Sequence, residues 1–194
     1  MDLHETHEDE PFRILVGTML SAQTKDGVTA VACKRLFRRA KSFKAIERLS
    51  EKDIRELIYP VSFYRTKAKH LKQTAVIVRE EYSGRILETI DELVKLPGVG
   101  RKTANLVVQL AFGEPAICVD THVHRIMNRF GYVETRTPLE TEMALRDKLP
   151  KRLWNTVNRN LVAYGQHTCT PVSPKCSECP IKKHCGRVGV TKSR

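Results

Sequence analysis

Apolar positions recur along this chain at intervals of three and four residues, the period of helices that bury one face. Phe12, Leu15, Val16, Met19 and Leu20 form such a stripe behind Pro11, and proline suits a first helical turn. Asp26 is placed to cap a second helix through about Ala40, with Val28, Val31, Ala32 and Leu36 on its apolar side. Ser50-Glu-Lys-Asp53 resembles a capping box and starts a short helix stopped by Pro60. Further helices are expected over about Arg65 to Tyr82, Ile90 to Leu96, Arg101 to Phe112 before Gly113, and Asp120 to Phe130. Thr137-Pro-Leu-Glu140 combines a cap with proline at the first helical position and predicts a helix through Leu149. A last one follows Pro150 and ends at Tyr164 and Gly165. No segment alternates with period two. The expectation is an all-α chain of about ten helices, followed by a cysteine-rich loop, with a seam at Gly113-Glu-Pro115.

A length of 194 residues suits one or two small domains. No apolar run approaches the roughly 18 residues of a membrane span. Met1 to Glu10 holds five acids and no Lys or Arg, the wrong charge for a targeting peptide, so a soluble intracellular protein is expected. Charge changes the picture further. Lys and Arg number 34 against 22 acids, a net +12, the electrostatic footprint of a protein that meets a polyanion. The excess is uneven: 20 bases face 16 acids up to Glu114, and 14 face 6 from Pro115 onward. Nucleic acid is the leading partner.

Cys33 and Cys118 sit in apolar surroundings as small hydrophobes. Cys169, Cys176, Cys179 and Cys185 crowd together in the spacing C-x6-C-x2-C-x5-C, which in an intracellular protein argues for metal before disulfide. Four thiolates suit either zinc or an iron-sulfur cluster, and the spacing alone leaves both open. Leu96-Pro-Gly98-Val99-Gly100-Arg101-Lys102 is a tight turn between two helices. Its glycines reach backbone angles that other residues avoid, and amides at the start of the second helix can hold a phosphate. A lysine there is a candidate nucleophile: its amine can attack a sugar C1′, displace a base and remain as a Schiff base. Only a neutral amine attacks, and with the reference lysine pKa about one in two thousand is neutral at pH 7.

Leu96 to Asn105, with Val119-Asp120-Thr-His122 after it, Leu20-Ser-Ala-Gln23 before it and the four terminal cysteines, resembles the endonuclease III family of helix-hairpin-helix DNA glycosylases. The resemblance runs from about Phe12 to Arg187 and implies two all-α domains with DNA across the cleft between them. It implies one 4Fe-4S cluster on Cys169, Cys176, Cys179 and Cys185, with Lys102 as nucleophile and Asp120 as its catalytic partner. A carboxylate beside Lys102 would hold the proton on the amine, so Asp120 is assigned to the positive charge that develops on the sugar, or to proton transfer. Gln23 matches the position that fills the gap left by a flipped base. Val61-Ser62-Phe63-Tyr64 resembles the loop that wedges the duplex, with Phe63 as the wedge, although Ser62 stands where relatives generally have glycine. Lys25 and the short segment before the first helix also depart from the family pattern. Gly98, Val99, Gly100, Arg101, Lys182 and Lys183 are the remaining candidate DNA contacts. His122 and His124 read as hydrogen-bonded structure, and Trp154 as core.

The domains are expected at 12–114, with the helix-hairpin-helix, and at 1–11 with 115–194, with the cluster loop 169–185. The function implied is base-excision repair: a glycosylase with β-elimination lyase activity that removes oxidised pyrimidines from duplex DNA. Lys102 favours this over a mismatch or uracil glycosylase of the same fold, and a non-enzymatic iron-sulfur DNA-binding module is the alternative from another class. The expected partner is double-stranded DNA with a damaged base or abasic site, met by a monomer in the prokaryotic cytoplasm at the nucleoid.

Overall fold

A computed structural model describes residues 9–194, and among them every regular element is helical. The helices are α1 (Asp9–Ser21), α2 (Asp26–Arg39), α3 (Phe43–Arg48), α4 (Glu51–Ile58), α5 (Tyr64–Tyr82), α6 (Ile90–Leu93), α7 (Arg101–Phe112), α8 (Thr121–Phe130), α9 (Pro138–Lys148) and α10 (Trp154–His167). Single 3-10 turns occupy Lys151–Leu153 and Lys182–His184. The chain divides into two compact units, one ending at Glu114 and the other running Pro115–Arg194. Asp9 to Pro11 open α1 and so lie with the first unit rather than, as expected, with the second. Most of the acidic N-terminal stretch lies outside the described residues.

Several boundaries differ from expectation for local reasons. Lys25, not Asp26, is the N-cap of α2, and Asp26 instead places its charge in the first turn, where the helix dipole favours it. Helix α3 escapes the periodicity because it has six residues; Ser42 caps it by accepting from the Ala45 amide. Both halves of the Ser50 and Asp53 capping box form at α4, and Thr137 caps α9 with Pro138 in the first turn. Helix α10 continues through Gly165 to His167. That glycine is a packing site: a Cβ on it would stand 2.4 Å from His122 Nδ1 and 2.9 Å from Arg125 Nη2.

In the first unit α1 packs against α2, α5 and α7. Leu15, Val16 and Leu20 on its stripe are fully buried, each contributing about 1.5–3 kcal/mol relative to exposure. Phe12 meets Phe37 and Phe43 edge-on, with centroids 5.7 and 5.0 Å apart, the arrangement that aromatic quadrupoles favour. The second unit is built on Ile117, Val119, Val123, Val133, Leu145, Trp154 and Val157. Trp154 reconciles burial with its polar edge by donating Nε1–H to the Leu149 carbonyl at 2.8 Å.

Candidate active site and metal centre

The turn before α7 is anchored by two buried side chains, Leu96 and Val99. Gly98 takes φ +77°, and a Cβ there would fall 2.4 Å from His70 Nδ1, so glycine is required both for the angle and for the approach to α5. The Val99 amide donates to the Leu96 carbonyl at 3.1 Å, so Val99 holds the turn together from inside while Gly98 and Gly100 occupy its exposed positions. Gly100 is the N-cap of α7 and brings no side-chain cap, which suits that helix start to an anion. Arg101 forms an ion pair with Asp91 at 3.5 Å, exposed and therefore weak. Lys102 follows as an exposed residue in the first turn of α7.

Gln23 and Phe63 lie on two loops of the first unit that the structure ties together. Both are exposed and both take left-handed backbone angles, φ +55° and +57°, which bulky residues seldom adopt. The unusual angle falls on Phe63, not on Ser62, so serine is accommodated where relatives were expected to carry glycine. Thr24 Oγ1 accepts from the Ser62 amide at 3.2 Å, joining the two loops directly. Sequence reasoning missed Lys67, whose Nζ donates to the carbonyls of Leu20 (2.7 Å) and Ala22 (2.6 Å) and to Thr24 Oγ1 (3.3 Å). Burial pulls the Lys67 ammonium below the ordinary lysine value. The end of α1 has no basic residue in its last turn, and Lys67 supplies donors there from a distant helix.

Asp120 caps α8: its Oδ1 accepts from the amides of His122 and Val123, both at 2.9 Å. The two histidines after it are engaged structurally. His122 Nδ1 lies 3.1 Å from Arg125 Nη2, and His124 Nδ1 lies 2.7 Å from Thr141 Oγ1.

Cys169, Cys176, Cys179 and Cys185 line one cavity together with Ile126 and Tyr164, and none of the four is in a disulfide. Four thiols lining one cavity are the donor set that an iron-sulfur cluster takes. Two arginines from α8, which sequence reasoning also missed, hold the start of this loop. Arg129 donates to the Thr170 and Pro171 carbonyls, each at 2.6 Å, and its Nη1 stands 3.7 Å from Cys169 Sγ. Arg125 donates to the Cys169 carbonyl at 2.9 Å. The Tyr164 hydroxyl lies 2.7 Å from Cys179 Sγ, and burial together with that contact holds its phenol well above the ordinary tyrosine value. Cationic donors beside the thiolates suit an anionic cluster. Lys182 and Lys183 stand exposed on the 3-10 turn between the last two cysteines.

Residues 16–151 match the family model described as HhH-GPD superfamily base excision DNA repair protein, and residues 169–185 match the iron-sulfur binding domain of endonuclease III. The chain is 46% identical over 178 residues to the endonuclease III of Thermotoga maritima, covering 92% of this chain and 84% of that protein. It is 48% identical over 171 residues to endonuclease III-like protein 1 of Gallus gallus, covering 87% of this chain and 61% of that longer protein. Its fold matches an endonuclease III trapped as a covalent intermediate with DNA at a TM-score of 0.82 and 36% identity, over 91% of this chain and 83% of that one.

Proposed function

Because the chain belongs to the endonuclease III family of HhH-GPD base excision DNA repair proteins, we propose that it removes oxidised pyrimidines from duplex DNA through a Schiff base on Lys102. It is a DNA-binding glycosylase and abasic-site lyase with a 4Fe-4S cluster as cofactor. Cys169, Cys176, Cys179 and Cys185 are its proposed ligands, and the bound cluster supplies iron–thiolate bonds that cross-link the loop. The observation that carries the mechanism is the position of Lys102, an exposed lysine in the first turn of α7 directly after the glycine turn.

With a backbone phosphate held at the start of α7, the neutral Lys102 amine attacks C1′. The bond to the base breaks, and the base leaves with that electron pair and takes up a proton. Asp120 is assigned to the positive charge growing on the sugar, a role in which oriented charge is worth several kcal/mol. The sugar ring then opens to an imine on Lys102. Loss of a C2′ proton pushes electrons toward C3′ and expels the 3′ phosphate, cutting the strand. Gln23 fills the space left by the flipped nucleotide. We further infer a monomer acting at the prokaryotic nucleoid, with damaged or abasic duplex DNA as its partner; no described helix is long and apolar enough to cross a membrane.

Borohydride reduction tests the mechanism. Wild-type protein should become joined to abasic duplex, and Lys102→Ala should lose both the adduct and strand cleavage. Asp120→Asn should still bind but release bases on the order of a hundredfold more slowly. Lys102→Ala that keeps only base release would make this a monofunctional mismatch or uracil glycosylase, and undiminished trapping would remove Lys102 from the mechanism.

A further inference from the structure

Helix α1 ends beside the loop that carries Gln23, and helix α5 begins directly after Phe63. The last carbonyls of a helix have no partner within it, and here a side chain from the other helix meets them. Lys67 reaches from the first turn of α5 to the carbonyls of Leu20 and Ala22. Its remaining contact is Thr24 Oγ1 at 3.3 Å, which spends all three ammonium protons. The Thr24 hydroxyl is equally committed: it donates to the Ala22 carbonyl at 3.3 Å and accepts from Lys67 and from the Ser62 amide. Gln23 is thus flanked on both sides by residues held in this junction, and Phe63 follows the residue whose amide enters it. Their left-handed angles cost free energy that surrounding contacts must offset.

We propose that Lys67, acting through Thr24, is the positioning residue that fixes Gln23 and Phe63 as one preformed unit, so that both enter the duplex together when a nucleotide is flipped. This rests on the reading of Gln23 and Phe63 as the inserted side chains. Lys67 touches neither the lesion nor the reacting atoms in this assignment; it removes the entropy of ordering two loops from the insertion step.

The test measures single-turnover excision of an oxidised pyrimidine from duplex and from single-stranded DNA. Insertion is followed separately by the fluorescence of 2-aminopurine placed beside a tetrahydrofuran abasic analogue. Lys67→Met should slow duplex excision about tenfold or more and reduce the fluorescence rise, with single-strand excision within about twofold of wild type. Lys67→Arg should recover part of the loss. Thr24→Val should reproduce the defect and Thr24→Ser should not, which keeps the test decisive if Lys67→Met does not fold. In a Gln23→Ala background Lys67→Met should add little, because both changes act on one step. Equal losses on both substrates, or additive losses in the double variant, would overturn the assignment. The control distinguishes the two ideas: Gln23→Ala selective for duplex beside unselective Lys67→Met defeats the junction alone, whereas unselective Gln23→Ala defeats the insertion reading beneath it.

Discussion

Between Leu96 and Gly100 the chain turns on two buried side chains, 2% and 5% exposed, and on the left-handed angle of Gly98, which packs against His70 of α5. From Cys169 to Cys185 it runs with Pro174 as its one buried residue, held to the protein by bonds from Arg125, Arg129 and Tyr164. The first segment is part of a hydrophobic core, so ordinary burial shapes it before any ligand arrives. The second has too little apolar material to define a shape, and with the four cysteines as the proposed cluster ligands its order rests on the bound cluster. Two irregular stretches can therefore draw stability from unrelated sources within one chain.

The strongest way to break this contrast is to remove the cluster, by oxidation or by Cys176→Ser. Hydrogen exchange should rise by orders of magnitude across the loop and stay unchanged in α1 through α7. A loop equally protected without iron would show that protein contacts alone suffice. Next in size is Arg129→Met, which deletes charged donors to Thr170 and Pro171. At about 1.5–3 kcal/mol for such a bond when buried, discounted for partial exposure, the loss should be about 2 kcal/mol, read as a lower Tm and faster release of iron to a chelator. Gly98→Ala probes the other segment and should cost about 1–2 kcal/mol for its backbone angle, plus the displacement of His70. Adding His70→Ala should return only the steric part in denaturant titration, and complete recovery would mean that the angle is not the constraint. The smallest effect belongs to Lys182→Gln with Lys183→Gln. Stability should hold within about 0.5 kcal/mol, and if the loop meets DNA, the slope of log affinity against log salt should fall by about 0.9 for each phosphate no longer neutralised. An unchanged slope would place DNA elsewhere.

Features written in neighbouring residues were legible in the sequence. Ser50, Thr137 and Asp120 cap helices because a cap needs only a short polar side chain and an amide two or three residues away. Features that depend on distant partners were not. Lys67 serves carbonyls 47 and 45 residues earlier, and Arg129 serves carbonyls 41 and 42 residues later; nothing local distinguishes either from a solvated base. Gly165 is instructive because glycine carries two meanings. Its place after Tyr164 suggests a helix stop, but the close approach of His122 and Arg125 makes it a contact point inside α10. Val99 likewise carries two readings at once: its place in the motif concerns the backbone, while its side chain is buried in the core.

Helix α8 has Asp120 at its head and Arg129 one residue before its end, with Arg125 midway. A helix of 10 residues is about 15 Å long and stiff, so it acts as a ruler laid between the carboxylate and the cysteine loop. Its far end is pinned by the loop carbonyls that Arg129 grips and by the Gly186 and Val188 amides, which donate to the carbonyls of Phe130 and Arg129. Asp120 and the loop contacts of Arg129 and Phe130 are thus spaced by one short helix, so the loop and the carboxylate are surveyed from a common baseline.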